Sequence, residues 1–319
     1  MNPAAGFTLV ELMLAVFLSG LLLTGFISMH GQSGAIVKEV ELTAELQDTA
    51  RLALAYLETD LLQAGFSGSR SHADPLAGIA APDDPVTVTI TGDCGPNFSL
   101  NLSHAVELRN GIFDLACAAY GGASVAGSDV LIVRRAGSQT RARDHDRLQL
   151  ATALSAGQLL APNATVDVGG EAGDPAEIRD LVVSVYYVSQ RSTADVTRPS
   201  LRRKLLGAGP RMSDEEVAPG VTDMQLQLGI DLDPPGSPGS GSADLFVHAD
   251  DPRLTQPPMN QEGRAVAMRV WLLIEVRHPS RPTGRPIAAY ADRPERAPNQ
   301  GKRLLVSRTY RLHNLAPGT

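Results

Sequence analysis

The chain has 319 residues, 43% of them hydrophobic and only 4% aromatic, with a net charge of −7 and a pI near 5.5. An acidic balance of this kind excludes an electrostatic nucleic-acid binder, because such binding rests on phosphate neutralisation by Lys and Arg. The first 64 residues read as anchor and helix, and the remainder, about 250 residues, is enough for one large domain or two small ones.

Gly6 to Phe26 reads GFTLVELMLAVFLSGLLLTGF, and from Leu12 to Val37 there is no Asp, Glu, Lys or Arg. An uncharged apolar run longer than about 18 residues meets the criterion for a membrane-spanning helix. Lipid offers no hydrogen-bond partners, so the run must satisfy its own backbone as a helix. Glu11 stands apart, because a carboxylate in the flank of such a helix is costly and reads as functional. A cleaved secretory signal is disfavoured: MNPAAG carries no Lys or Arg, and no clean A-x-A site follows the run.

Lys38 to Ala64 predicts a continuing helix. Leu42, Leu46, Ala50, Ala53, Leu57, Leu61 and Ala64 recur at three- and four-residue spacing and form one apolar stripe, with Glu41, Glu45, Asp48 and Arg51 off it. Neither Pro nor Gly falls between Ile36 and Gly65, and Gly65 stands where a C′ residue would. As one rod, Phe7 to Ala64 would be roughly 87 Å long at about 1.5 Å per residue. Gly20 and Gly25 in the apolar half either loosen the helix or let neighbours approach closely.

From Ser67 the character becomes β. Strands are expected at Val86–Thr91, Asp129–Arg135, Leu181–Val188, Leu201–Leu206, Val221–Ile230, Ala265–Arg277 and Arg303–Asn314, with turn-rich stretches between them. The basic run Arg202-Arg203-Lys204 reads as a solvated strand edge. Residues 231–260, rich in Pro and Gly, form a long irregular insert expected to hang from two neighbouring strands. The two cysteines, Cys94 and Cys117, are expected to pair if the head lies outside the cytoplasm. Closing that loop would contribute about 3 kcal/mol.

G-F-T-L-x-E followed by about twenty apolar residues resembles the N-terminus of type IV prepilins and type II secretion pseudopilins. The resemblance implies that a prepilin peptidase cuts between Gly6 and Phe7, that Phe7 is then N-methylated, and that Glu11 is the conventional fifth mature residue. A Glu11 carboxylate could then neutralise the Phe7 ammonium of a neighbouring subunit in lipid. The leader departs from the family in lacking a basic residue before its glycine. Four further stretches, YLETDLLQAGF (56–66), GVTDMQLQLGIDLD (220–233), RVWLLIEVR (269–277) and RTYRLHNL (308–315), resemble PilW-type minor pilins in sequence and in order. Members often carry a cysteine just beyond the AGF position, where Ser67-Gly68-Ser69 stands here, so the family's disulfide pattern does not transfer.

Enzyme motifs are absent: there is no C-x-x-C, H-E-x-x-H, G-x-S-x-G or P-loop, and no cofactor is expected. Asp144-His145-Asp146 reads as a solvated turn. Asp231, Asp233, Asp244, Asp250 and Asp251 could offer oxygens to Ca²⁺, but the EF-hand spacing is missing and a solvated acidic loop is the favoured reading.

The expected fold is α+β, a long N-terminal helix packed by its second half on a mainly antiparallel sheet. The expected segments are a leader (1–6), a transmembrane and assembly half-helix (7–29), a periplasmic amphipathic half (30–64) and a β-rich periplasmic head (65–319) with the 231–260 loop. By resemblance the function is that of a minor pilin at or near a type IV pilus tip, helping to prime assembly. Its partners would be the prepilin peptidase, other minor pilins, the major pilin, the inner membrane and a large tip adhesin. A J-type pseudopilin of type II secretion and a membrane-anchored periplasmic enzyme or binding protein are the alternatives.

Overall fold

The computed structural model describes residues 8–68, 88–153, 156–166, 176–252, 264–277, 286–298 and 301–315, with backbone alone for 28–35 and 277. One helix, α1 (Leu9–Leu62, 54 residues), runs unbroken from the apolar segment into the head. At about 1.5 Å per residue it is about 81 Å long. All seven stripe residues from Leu42 to Ala64 are buried, while Glu41, Glu45, Asp48 and Arg51 are exposed. The helix is capped at Gln63, so Gly65 follows the cap by two positions rather than one. Its φ of +77° turns the chain so that its N–H donates to Arg134 O rather than back to the helix.

The head contains two sheets. The first has seven strands: β1 (Val106–Arg109), β2 (Val130–Ala136), β3 (Gln149–Thr152), β4 (Gly157–Leu160), β5 (Glu177–Ser189), β6 (Ser200–Gly207) and β7 (Arg211–Pro219). Long β5 organises it: residues 177–180 pair with β3, 181–186 with β2 and 184–189 with β6, all antiparallel. The second sheet has the order β11 (Gly301–Arg311), β10 (Arg264–Arg277), β8 (Val221–Asp231), β9 (Leu245–Val247). Strand β9 lies within the 231–260 insert and pairs with Leu228–Ile230 of β8.

Period-two alternation assigns the two faces of the first sheet. Leu131, Val133, Tyr186 and Val188 face α1 and the second sheet, and share one core with Met268, Val270, Leu272 and Ile274. Val130, Ile132, Val183, Val185 and Tyr187 point the other way, into a second core with Phe98, Leu100, Cys94 and Cys117. A bulge between Ala265 and Ala267 shifts the phase of β10, so Ala265 joins the same core as Met268.

Three expectations are corrected. Residues 88–90 form no strand; Thr91 alone bridges to Arg211, and residues 86–87 lie outside the described chain. β-branched alternation needs a partner edge, and here Gly92, at φ +71°, turns the chain away after one bridge. Strand β11 stops at Arg311, after which Leu312 N donates to Val266 O and Asn314 reaches Leu62 O at the helix end. The run Arg202-Arg203-Lys204 is not a solvated edge: β6 lies between β5 and β7, with Arg202 2% and Lys204 7% exposed. The run Asp214-Glu215-Glu216 on β7 stands opposite, in the register Arg202↔Glu216, Arg203↔Glu215, Lys204↔Asp214. The ion pairs Arg202–Asp214 (2.7 Å) and Lys204–Asp214 (2.8 Å) neutralise these cations within the sheet. This cross-strand complement makes a strand of the polar β7, which propensity alone does not predict.

Candidate functional site

The apolar half of α1 buries nothing against the head. Leu9–Ile27 has a mean hydropathy of 2.2 and is exposed throughout, and among the described residues α1 is the one helix long and apolar enough to cross a membrane. Its hydroxyls are satisfied within the helix: Ser19 donates to Ala15 O and Thr24 to Gly20 O, both at 2.7 Å. Glu11 forms a capping box with Thr8. Its Oε2 accepts from Thr8 N–H and Thr8 Oγ1, both at 3.0 Å, and Glu11 N–H donates to Thr8 Oγ1 at 3.3 Å. The carboxylate is therefore drawn toward the start of the helix. Gly6 and Phe7, the expected processing pair, lie outside the described residues.

The other half of α1 is fixed to the head at intervals. Lys302 Nζ reaches Thr43 Oγ1 at 2.6 Å, Arg198 pairs with Glu45 at 2.9 Å, and Arg308 with Glu58 at 3.2 Å. These pairs are partly exposed, and each is worth about 1 kcal/mol or less. Asp60 is different, being 1% exposed. One oxygen accepts from Arg135 of β2, at 3.0 Å from Nε and 2.8 Å from Nη2. The other accepts from Tyr186 Oη of β5 at 2.6 Å and lies 3.7 Å from Arg203 of β6. One helical carboxylate thus ties the shaft to three adjacent strands. Burial, and then the Asp60 charge, push the Tyr186 hydroxyl well above the usual phenol range, so it remains a donor.

Adjacent arginines on β2 point to opposite faces. While Arg135 takes Asp60, Arg134 holds the outer layer, donating from Nε to Phe98 O at 2.8 Å and from Nη1 to His104 O at 2.7 Å, and pairing with Glu107 at 2.6 Å. Burial pulls its pKa down, and Glu107 opposes that. The disulfide Cys94–Cys117, with Cα atoms 4.3 Å apart, closes this layer. At a sequence separation of 23 residues it contributes about 3 kcal/mol.

The two sheets meet at Asp129, just before β2. Its carboxylate accepts from Gly111 N–H and from Leu226 N–H of β8, both at 2.8 Å, and its own N–H donates to Met224 O at 2.9 Å. Burial pushes its pKa up from the ordinary 3.8 to about 7; the two N–H bonds oppose this, and the nearby Asp292 and Asp223 charges add to it. Because the folded pKa lies above the unfolded one, this group's contribution to stability is full below about 3.8 and is lost as pH rises through about 7. Between pH 8 and pH 6 the head should therefore gain stability on acidification, by about 1.4 kcal/mol in all. Urea unfolding of wild type and Asp129→Asn at pH 6, 7 and 8 measures this. Equal slopes in both proteins would refute it.

The remaining sequence candidates do not form a catalytic centre. Asp144 accepts from Asp146 N–H and pairs with Arg147, and His145 Nδ1 lies 2.9 Å from Pro162 O, as in a solvated turn. Asp231, Asp233 and Asp244 do bring carboxylate oxygens within 4.8 Å of one another. Asp231, however, accepts from Gly241 N–H and Asp233 N–H and pairs with the Arg264 guanidinium, which also reaches Asp233 O and Ser240. An arginine already supplies the positive charge there, and the carboxylate organises the loop.

Against known proteins, residues 185–314 match the family model of type IV pilus-assembly protein W, and residues 1–27 match the prokaryotic N-terminal methylation motif. Both matches are consistent with a type IV pilin-like protein of the PilW type. No curated protein and no solved structure matches the chain. The PilW match begins within β5 and ends beyond β11, so it takes in the whole second sheet and the β6–β7 charge ladder. The methylation motif covers the capping box and the exposed apolar half-helix. The two matches, with the exposed apolar half of α1, point to membrane anchoring through that half and to association with other pilus components. Asp60 was missed as a functional residue. The signal available was a carboxylate beside the apolar stripe in YLETDLLQAGF, facing strands that carry arginines.

Proposed function

We propose that this chain is a minor pilin, incorporated at or near the tip of a type IV pilus and helping to prime its assembly together with other minor pilins. The observation that carries the reading is the division of α1 into an exposed apolar half and a half clamped between two sheets. Such a rod serves lateral packing of helices, with the head held in a fixed orientation. The two family matches support the same reading. The head is proposed to lie in the periplasm before assembly, and Phe7 to become the N-methylated mature terminus after cleavage by a prepilin peptidase. Glu11 is proposed to meet the Phe7 ammonium of a neighbouring subunit.

Affinity purification of the detergent-solubilised native protein, with intact-mass analysis, tests the proposal. The expected result is a chain beginning at methylated Phe7 that co-purifies with other minor pilins. Co-purification with type II secretion components instead would make it a pseudopilin, and a mature terminus elsewhere would remove the prepilin reading.

A further inference from the structure

Between β10 and β11, residues 286–298 form a small hairpin that belongs to neither sheet. Its four backbone bonds are internal: Ile287 and Arg296 exchange two at 3.0 and 2.9 Å, and Tyr290 and Arg293 exchange two at 3.1 and 2.8 Å. At its tip Ala291 has φ +50°, a left-handed conformation that strains a non-glycine residue. Tyr290 is the one hairpin side chain among the buried residues, and it lies outside both core clusters. Its ring covers Trp271 of β10, with centroids 6.1 Å apart.

The hairpin is held mainly through one carboxylate. Asp223 of β8, fully buried, accepts from Tyr290 Oη at 2.6 Å, from Arg293 at 2.9 and 3.1 Å, and from Arg296 at 2.7 Å. Among the described residues, two contacts to backbone oxygens add to this attachment, Arg293 to Ala126 O at 3.4 Å and Arg303 to Ala297 O at 2.8 Å. On the covered face Gln225 and Trp271 are cross-strand partners. Gln225 Oε1 and Trp271 Nε1 are buried there with no hydrogen-bond partner among the described residues.

We infer that residues 286–298 are a strap latched on Asp223, which opens and closes while both sheets stay folded and so uncovers Trp271 and the face formed by β8 and β10. Segments with few buried apolar contacts open locally at lower free energy than the core. Two features here favour opening: the turn strain is released, and Gln225 and Trp271 gain water as a partner. The cost is limited because Asp223, which keeps Gln225 Nε2 at 3.1 Å, becomes solvated rather than left buried and unpaired.

Hydrogen exchange on the full-length wild-type chain in detergent tests this first. The amides of Ile287, Tyr290, Arg293 and Arg296 should exchange at least tenfold faster than those at the centres of β8 and β10, with little dependence on low urea. Protection equal to that of the strands would overturn the inference. Trp271 is the single tryptophan, so its fluorescence reads the strap directly. In Asp223→Asn, acrylamide quenching should rise at least twofold, with Cys94–Cys117 still oxidised and the cooperative unfolding transition retained. Unchanged quenching in a folded Asp223→Asn protein would overturn the latch. Should that variant fail to fold, Ala291→Gly decides: relieving the turn strain should lower quenching and slow strap exchange, and an increase in either would count against the strap.

Discussion

Replacing Asp60 by alanine should destabilise the head by about 3–5 kcal/mol, a larger effect than losing any other single ion pair between helix and head. Truncating one partner of a buried pair leaves the other charge without compensation. Here the groups left behind are Arg135, whose side chain is 10% exposed and which keeps Gln63 Oε1 at 2.9 Å and Ala136 O at 3.1 Å but loses its counter-charge, and the Tyr186 hydroxyl, which loses its 2.6 Å acceptor and keeps Tyr56 O at 3.2 Å. Arg308 and Glu58 make the contrasting case, with side chains 52% and 34% exposed. Arg308→Ala should change stability by less than about 1 kcal/mol. Urea unfolding of the full chain, followed by Trp271 fluorescence and by far-UV circular dichroism, measures both. Similar losses in the two variants would show that Asp60 is not the principal tie.

Changing Glu11 to alanine should leave the head's unfolding midpoint unchanged and lower surface piliation at least several-fold. The residue lies in the first turn of an exposed half-helix, far in sequence from any head strand. The variant loses both the capping box and the charge, and loss of a cap costs a helix end about 1 kcal/mol. Glu11→Gln separates the two. Glutamine retains capping-box geometry but offers no charge to an ammonium in lipid. Glu11→Gln should therefore be as defective as Glu11→Ala, and Glu11→Asp should be partly active, since charge remains while reach shortens by one methylene. Pilus yield and partner co-purification, at protein levels matched by immunoblot, decide it. Wild-type assembly by Glu11→Gln would mean that the cap matters and the charge does not.

The local patterns legible in the chain are those whose physics is local. An uncharged apolar run of this length has one backbone solution in lipid. The stripe from Leu42 to Ala64 names the buried face of α1 without any knowledge of what covers it, and the branched-residue runs of β2, β5, β8 and β10 give their strands. A lone cysteine pair gives the disulfide.

Tertiary structure alone decided what depends on a partner far along the chain. VTVTIT has strand propensity, yet its described residues, 88–91, meet an edge only at Thr91 and form no strand. Arg202-Arg203-Lys204 reads as a solvated edge until Asp214-Glu215-Glu216 is brought opposite it, and then burial is affordable because each charge has a counter-charge in register. Asp60, Asp129 and Asp223 are three ordinary acidic residues in the sequence. The fold makes one the tie between helix and sheet, one the joint between sheets and one the latch of a strap. Apart from Gln225 beside Asp223, the partners of their carboxylates lie between 18 and 143 residues away. Periodicity reports which face of an element is apolar, whereas the meaning of a buried charge is fixed by the groups that the fold sets against it.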